Sequence, residues 1–207
     1  MEIGTFLELA SSRRSIRRYE KRDVPRELVE KILDAARWAP SAHNRQPWRF
    51  AIIENAETKH ALAFAMGEKL RADLERDGVA REVIEKDAAR SYHRITGAPV
   101  VIVACVTMRD MDSYTDARRN HAEYLMASQS VAMATQNLLL AAHALNLGAC
   151  WMCAPLFVPE TVREVLNLDT DWEPQALITV GYAAEGKTKE RGELFSQVRF
   201  LDADERG

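Results

Sequence analysis

Glycine is scarce in this chain of 207 residues: there are nine, scattered, and no G-x-G-x-x-G or P-loop pattern follows any apolar run. That argues against a Rossmann dinucleotide site or a P-loop, both of which need backbone brought close to phosphates by a glycine turn. Cysteine is equally sparse. Three thiols, an odd number with no secretion signal ahead of them, speak for reduced cysteines rather than a disulfide framework. The longest strongly apolar run, Val100 to Val106, is far too short to span a bilayer. Nor is there a large excess of either charge, since 28 Lys and Arg face 31 Asp and Glu for a net −3. A chain so balanced has no bulk attraction for nucleic acid or anionic membrane, so any basic cluster needs a local explanation. Repeats, low-complexity tracts and Pro- or Ser-rich linkers are missing too, which leaves no marked domain boundary. With 47% hydrophobic residues the chain can build one sizeable core. The expectation is a single cytoplasmic domain over residues 1–207.

What is present reads as mixed helix and strand. Thr5 to Ala10 is a short helix candidate, followed by an extended Ser15 to Tyr19. From Pro25, Leu28, Val29, Ile32, Leu33, Ala35 and Ala36 recur at helical spacing up to Pro40. Trp48 to Ile53 has the aromatic and β-branched content of a strand. The charge-dense stretch from Ala56 to Tyr92 reads as a solvated helical cover interrupted at Asp77-Gly78, and Val100 to Val106 as a central strand buried on both faces. Asp116 to Leu147 holds no Gly or Pro and turns apolar nearly all round from Leu125, before stopping at Gly148. Such a helix must be covered on most sides, and a second subunit would supply part of the cover. Ala149 to Met152 is a short hydrophobic segment, Pro159 to Asn167 a helix, and Ala176 to Tyr182 a last core strand. About four strands that do not alternate regularly with helices indicate an α+β fold.

Two constellations could carry chemistry. Arg13, Arg14, Ser15 and Arg17 place guanidinium forks and a hydroxyl at the mouth of an apolar body, as a phosphate requires, although a solvated basic turn has the same composition. Lys189 and Arg191 would join them if the tail folds back. With no glycine turn available, side chains would do the holding, which suits a mononucleotide such as FMN. The second constellation, His121-Ala122-Glu123 followed by Cys150-Trp151-Met152-Cys153, mimics the zinc site of nucleobase deaminases. Two details oppose it. Ala149 stands where that signature wants Pro, and an unbroken helix from His121 to Leu147 would hold His and thiols about 40 Å apart. No metal site is therefore expected. Two small buried residues, rather than a redox pair, is the simpler reading of Cys150 and Cys153. His43, His60, His93 and His143 show no metal-ligand spacing.

Taken in order, Arg13-Arg14-Ser15-Ile16-Arg17, the Ala39-Pro40-Ser41-Ala42-His43-Asn44 loop with Gln46-Pro47-Trp48, Leu147-Gly148-Ala149-Cys150-Trp151 after the long helix, and Gly181-Tyr182 with Lys189 and Arg191 resemble the FMN-dependent nitroreductase family over nearly the whole chain. The resemblance implies an α+β sandwich with a central, mostly antiparallel sheet of four to five strands flanked by helices. It also implies an intertwined homodimer with FMN at the interface, and a tail from about residue 184 to 207 reaching the partner. Carried over, Arg13, Arg14, Ser15 and Arg17 would hold the phosphate and ribityl chain, with Lys189 and Arg191 closing on the phosphate. Pro40, Ser41 and Asn44 would face the ring from the partner, the backbone of Cys150, Trp151 and Met152 would line its other side, and Gln129 is a further ring contact. Hydride would pass by a ping-pong route from NAD(P)H through FMN to a nitroaromatic, quinone or related conjugated acceptor, with no protein catalytic residue. Cys153 stands where many relatives have Gly. Asp171-Trp172-Glu173-Pro174 and the Arg13 to Tyr19 run look most like the reductase-type domain of deazaflavin-cofactor glutamyl ligases, which suggests an unsaturated deazaflavin precursor as an alternative substrate. A non-catalytic flavin-binding role is the alternative of another class.

Overall fold

The strand Val100–Val106 (β2) alternates strictly between two hydrophobic cores. Val100, Ile102, Ala104 and Val106 join one cluster of buried side chains, while Val101, Val103 and Cys105 join another on the opposite face. Successive strand residues point to opposite faces, so a β-branched run without polar gaps fits only a strand sandwiched between two apolar layers. Each such isoleucine or valine contributes about 1.5–3 kcal/mol of burial. The computed structural model describes residues 2–186, 188 and 190–201. Around β2 it builds a four-stranded sheet in the order β1-β2-β4-β3, with Trp48–Ile53 as β1, Gly148–Met152 as β3 and Glu173–Gly181 as β4. Every pairing is antiparallel.

Helices cover both faces. Arg26–Ala36 (α2) and Ala117–Ala144 (α5) supply Val29, Ile32, Val131 and Leu138 to one core. Ala56–Arg76 (α3), Arg81–Thr96 (α4) and Pro159–Leu166 (α6) supply Leu62, Met66, Ile95 and Val162 to the other. Capping explains two of the starts: Asn55 accepts a hydrogen bond from the Thr58 amide at 2.9 Å, and Asp116 accepts one from the Arg119 amide at 2.9 Å. The remaining helix, Ile3–Ser12 (α1), buries none of its residues. The α+β sandwich expected from the sequence is thus present.

Two expectations need correction. The last core strand begins at Glu173, because the register slips between Ala104 and Cys105 and pairs Cys105 with Pro174. A proline, which cannot donate to the ladder, is tolerated at such a bulge. The long helix stops before Gly148. Asn146 takes the left-handed conformation at φ 59° and the Leu147 amide donates back to the Ala142 carbonyl at 2.8 Å, closing the helix end. Within one chain α5 leaves Leu125, Gln129, Met133 and Gln136 along an exposed face, where the sequence reading expects a second subunit to supply part of the cover.

Candidate functional site

Gly148 is needed for a close approach rather than for a turn. A Cβ there would meet the Cβ and Cγ2 of Ile16, each at 2.8 Å. This lets the segment carrying the arginines lie against the edge strand β3, with the Ile16 amide donating to the Ala149 carbonyl at 3.0 Å. The other end of that segment is tied down as well. The Glu20 amide donates to the Tyr182 carbonyl at 2.9 Å, the Ala184 amide to the Arg18 carbonyl at 3.0 Å, and Tyr19 Oη lies 2.6 Å from the Ile16 carbonyl and 2.7 Å from Thr179 Oγ1. Burial raises the Tyr19 pKa, so the phenol stays protonated and able to donate. A Cβ at Gly181 would crowd Pro99 and Tyr19. Both glycines therefore serve to press the arginine segment onto the sheet edge.

That segment forms one wall of a cleft of about 270 Å³ lined by Ser12, Arg13, Arg14, His143, Asn146 and Gly148, with Ile16, Leu139 and Ala149 as its apolar part. The guanidinium of Arg14 donates through Nη1 to the carbonyls of Ser11 and, at 2.8 Å, Arg13, but its buried Nε has no hydrogen-bond partner among the described residues. A buried guanidinium donor left unmade costs on the order of 1–3 kcal/mol, which an incoming anion would offset. Cations crowd this wall. Burial, then Arg191 and Arg14, hold the Arg13 pKa below its ordinary value, and burial followed by Arg17 and Arg90 does the same to Arg94 at the end of α4. Among the described residues no ion pair joins the guanidinium of Arg13, Arg14, Arg17 or Arg94 to a carboxylate. Glu185 instead accepts from the Arg17 backbone amide at 2.8 Å and from Arg18 Nε at 3.0 Å. Glu185 also acts electrostatically on Arg94, but the like charges gathered at these partly buried positions outnumber it and favour an anionic ligand.

The expected site residues thus fall into groups. Arg13 and Arg14 line the cleft, Arg191 acts electrostatically on Arg13, and Ser15 and Arg17 belong to the same segment, Ser15 bridging to Ala149. Lys189 lies outside the described residues. Cys150 is buried next to this wall, and Trp151 and Met152 are half-buried at the end of β3. The buried indole Nε1 of Trp151 has no partner among the described residues. Cys153 is exposed, which corrects the reading of both thiols as buried; β3 ends at Met152, and Cys153 begins a turn on the surface.

Pro40, Ser41 and Asn44 are not brought to the cations within one chain. Their loop is a tight, left-handed turn, with φ near 50° at His43, Asn44 and Gln46. The Ser41 hydroxyl accepts from the Gln46 amide at 3.1 Å, and Ser130 Oγ accepts from the Ala42 amide at 3.2 Å. Asn44 lines a separate cleft with Arg37, Trp38, Ala39 and Gln46. Gln129 projects from the exposed face of α5. His121 and Glu123 sit in the first turns of α5 and Cys150 and Cys153 beyond its far end, so the four do not converge. Instead Glu123 is buried beside Asp112 and His43, accepting from the Asp112 amide at 3.2 Å, while Asp112 pairs with Arg45 at 3.0 Å. This cluster ties the loop to α5.

Sequence reasoning missed His143, Asn146, Glu185 and Arg94. Arg94 carried a usable signal: the residue four before it on the helix is Arg90, and no acid stands three or four residues from Arg94 on either side. His143 carried none, because a single histidine near the end of an apolar helix reads as core.

Comparison with known proteins was consistent with this geometry. The nitroreductase family model matches residues 10–182. A Methanothermobacter thermautotrophicus protein provisionally named NADH dehydrogenase/NAD(P)H nitroreductase is 35% identical over 183 residues, covering 86% of this chain and 78% of that one. A Thermus thermophilus NADH dehydrogenase is 31% identical over 200 residues, covering 85% of each. Among solved structures, a provisionally named nitroreductase of Desulfovibrio desulfuricans in complex with FMN superposes with a TM-score of 0.71 at 29% identity, covering 93% of this chain and 94% of that one.

Proposed function

Since the chain belongs to the nitroreductase family, we propose that it is an FMN-dependent oxidoreductase whose flavin phosphate lies in the cleft walled by Arg13 and Arg14. The observation that carries this reading is the buried Nε of Arg14, which has no hydrogen-bond partner among the described residues and lies beside Arg13, itself crowded by Arg14 and Arg191. It fits a side-chain-held phosphate in a chain without a glycine turn. The FMN complex of the Desulfovibrio relative and the NAD(P)H in the names of the curated relatives point the same way.

In this reading Arg13, Arg14 and Arg191 hold the phosphate, with Lys189 as a further cation, and Ser15 and Arg17 extend the grip along the segment. A dianion about 4 Å from one guanidinium gains roughly 1–4 kcal/mol per pair of unit charges, depending on how far water screens it. The half-buried Trp151 packs on the same face of β3 as Ala149 and supplies an apolar wall that excludes water from a flat ring, while Met152 packs on the opposite face and would contribute its backbone; Trp151 Nε1 is a donor without an acceptor among the described residues. Bound FMN would supply the redox chemistry, taking hydride from NAD(P)H and passing electrons to a conjugated acceptor such as a nitroaromatic or quinone. No side chain is assigned a proton transfer.

The unit that binds is a homodimer. The exposed Ile3 and Leu7 of α1, Trp38 at 74% exposure, and Leu125 and Met133 on α5 are large apolar side chains that a partner subunit would take out of water. An apolar cleft lined by Leu9, Ala35, Trp38, Leu140 and Ala144 lies among them. The tail adds exposed Leu194, Phe195, Phe200 and Leu201, which would find cover on the partner. Pro40, Ser41 and Asn44 would then reach the flavin of the other subunit. The test is steady-state oxidation of NADH and NADPH by the FMN-loaded protein with menadione or nitrofurazone as acceptor. Acceptor-dependent turnover supports the reading, and its absence with both donors while FMN is bound overturns it in favour of a flavin-binding role.

A further inference from the structure

His143 stands in the wall of the arginine cleft, on α5, facing Ser12 at the end of α1. Its Nε2 lies 2.8 Å from Ser12 Oγ, and Ser12 Oγ lies 2.7 Å from the Glu8 carbonyl. A carbonyl only accepts, so the arrangement that makes both contacts hydrogen bonds has the hydroxyl donating to Glu8 and Nε2–H donating to Ser12. In the neutral ring Nδ1 is therefore bare, and it is the atom that takes up a proton when the ring charges. The charged groups acting on this ring are Arg13 and Arg14, both in the same wall. Together with burial, which is the larger cause, they hold the His143 pKa below its ordinary value and keep the ring neutral. A dianion seated on the two guanidinium groups cancels the charge that opposes a third cation.

We propose that His143 is a proton-accepting member of the anion cleft: a phosphate-bearing ligand held against Arg13 and Arg14 draws a proton from solvent onto His143 Nδ1, so the cleft holds that ligand more tightly as pH falls. This rests on placing the flavin phosphate there. The sign is set by linkage. The complex binds more protons than the free protein over the interval between the two pKa values, so affinity falls with rising pH by up to about tenfold per unit. The phosphate's own ionisation works oppositely, because cations drive a proton off a phosphomonoester whose second pKa is about 6. Net proton uptake on binding is thus a signature that the phosphate alone cannot produce.

The experiment is isothermal titration of the apoprotein with FMN between pH 6 and 8, in buffers of differing ionisation enthalpy, with riboflavin as a probe lacking the phosphate. Wild type should take up protons with FMN and not with riboflavin. H143Q, which keeps a donor toward Ser12 but does not titrate, should lose the uptake and bind FMN about tenfold more weakly at pH 6 with little change at pH 8. Should that variant misfold, the imidazole titration followed by NMR in wild type gives the same answer, since its pKa must rise when FMN binds. Unaltered uptake in H143Q, or an imidazole pKa indifferent to FMN, overturns the inference alone. Failure of wild type to bind FMN at any pH overturns the flavin reading and this inference with it.

Discussion

Replacing Arg14 with Met isolates the anion-binding claim. Methionine retains most of the apolar stem and removes only the guanidinium, whose Nη1 serves the carbonyls of Ser11 and Arg13 and whose Nε has no partner among the described residues. A hydrogen bond to a charged group is worth about 1.5–3 kcal/mol, so losing one to phosphate should weaken FMN binding by about 10- to 150-fold. Riboflavin affinity should change by less than about threefold, because the proposed placement sets Arg14 against the phosphate that riboflavin lacks. Stability of the apoprotein should move by less than about 1 kcal/mol: two bonds to the end of α1 disappear, but so does a cation that crowds Arg13 and His143. Flavin fluorescence titrations with both ligands, alongside urea denaturation, provide the comparison. An R14M protein that binds FMN as tightly as wild type, or loses FMN and riboflavin equally, would refute the placement of the phosphate.

Gly148→Ala puts a Cβ at 2.8 Å from Ile16, so it should cost about 1–3 kcal/mol in urea denaturation and weaken FMN binding, with partial rescue by Ile16→Ala. Tyr19→Phe removes the hydroxyl that serves Ile16 and Thr179, and a loss of about 1–2 kcal/mol is expected by the same measurement. His143 has a folded-state pKa below its unfolded value, so the unfolded chain binds more protons in that window. The apoprotein should therefore lose stability as pH falls through the ordinary histidine range, and H143Q should show less of that loss in thermal melts across pH. Leu125→Glu with Met133→Glu charges the exposed face of α5, and sedimentation should then show monomers that no longer retain FMN.

Much of the fold was legible because its strongest signals are local. The unbroken β-branched run from Val100 to Val106 could only be a strand covered on both faces, and the helical spacing after Pro25 found α2. The boundary errors came from features with no local trace. Pro174 joins a strand only because of a slip at Ala104 on its neighbour, and Asn146 rather than Gly148 ends α5 because Gly148 is reserved for contact with Ile16. The same held for the site. Arg13 and Arg14 were visible as a cluster of one charge, but His143 and Asn146 enter the cleft only through the packing of α5 against the end of α1. The apolar length of α5 suggested a helix covered partly by a second subunit, but which of its residues form the stripe left exposed within one chain is a property of tertiary packing that composition does not encode.

The most direct test of the central claim is the visible absorption spectrum of the purified protein, with the released cofactor identified by mass and the spectrum followed as NADH or NADPH is added without oxygen. A flavin spectrum from FMN stoichiometric with the chain, bleached by a nicotinamide donor and restored by a nitroaromatic or quinone, is the predicted result. A colourless protein that does not take up added FMN would contradict it.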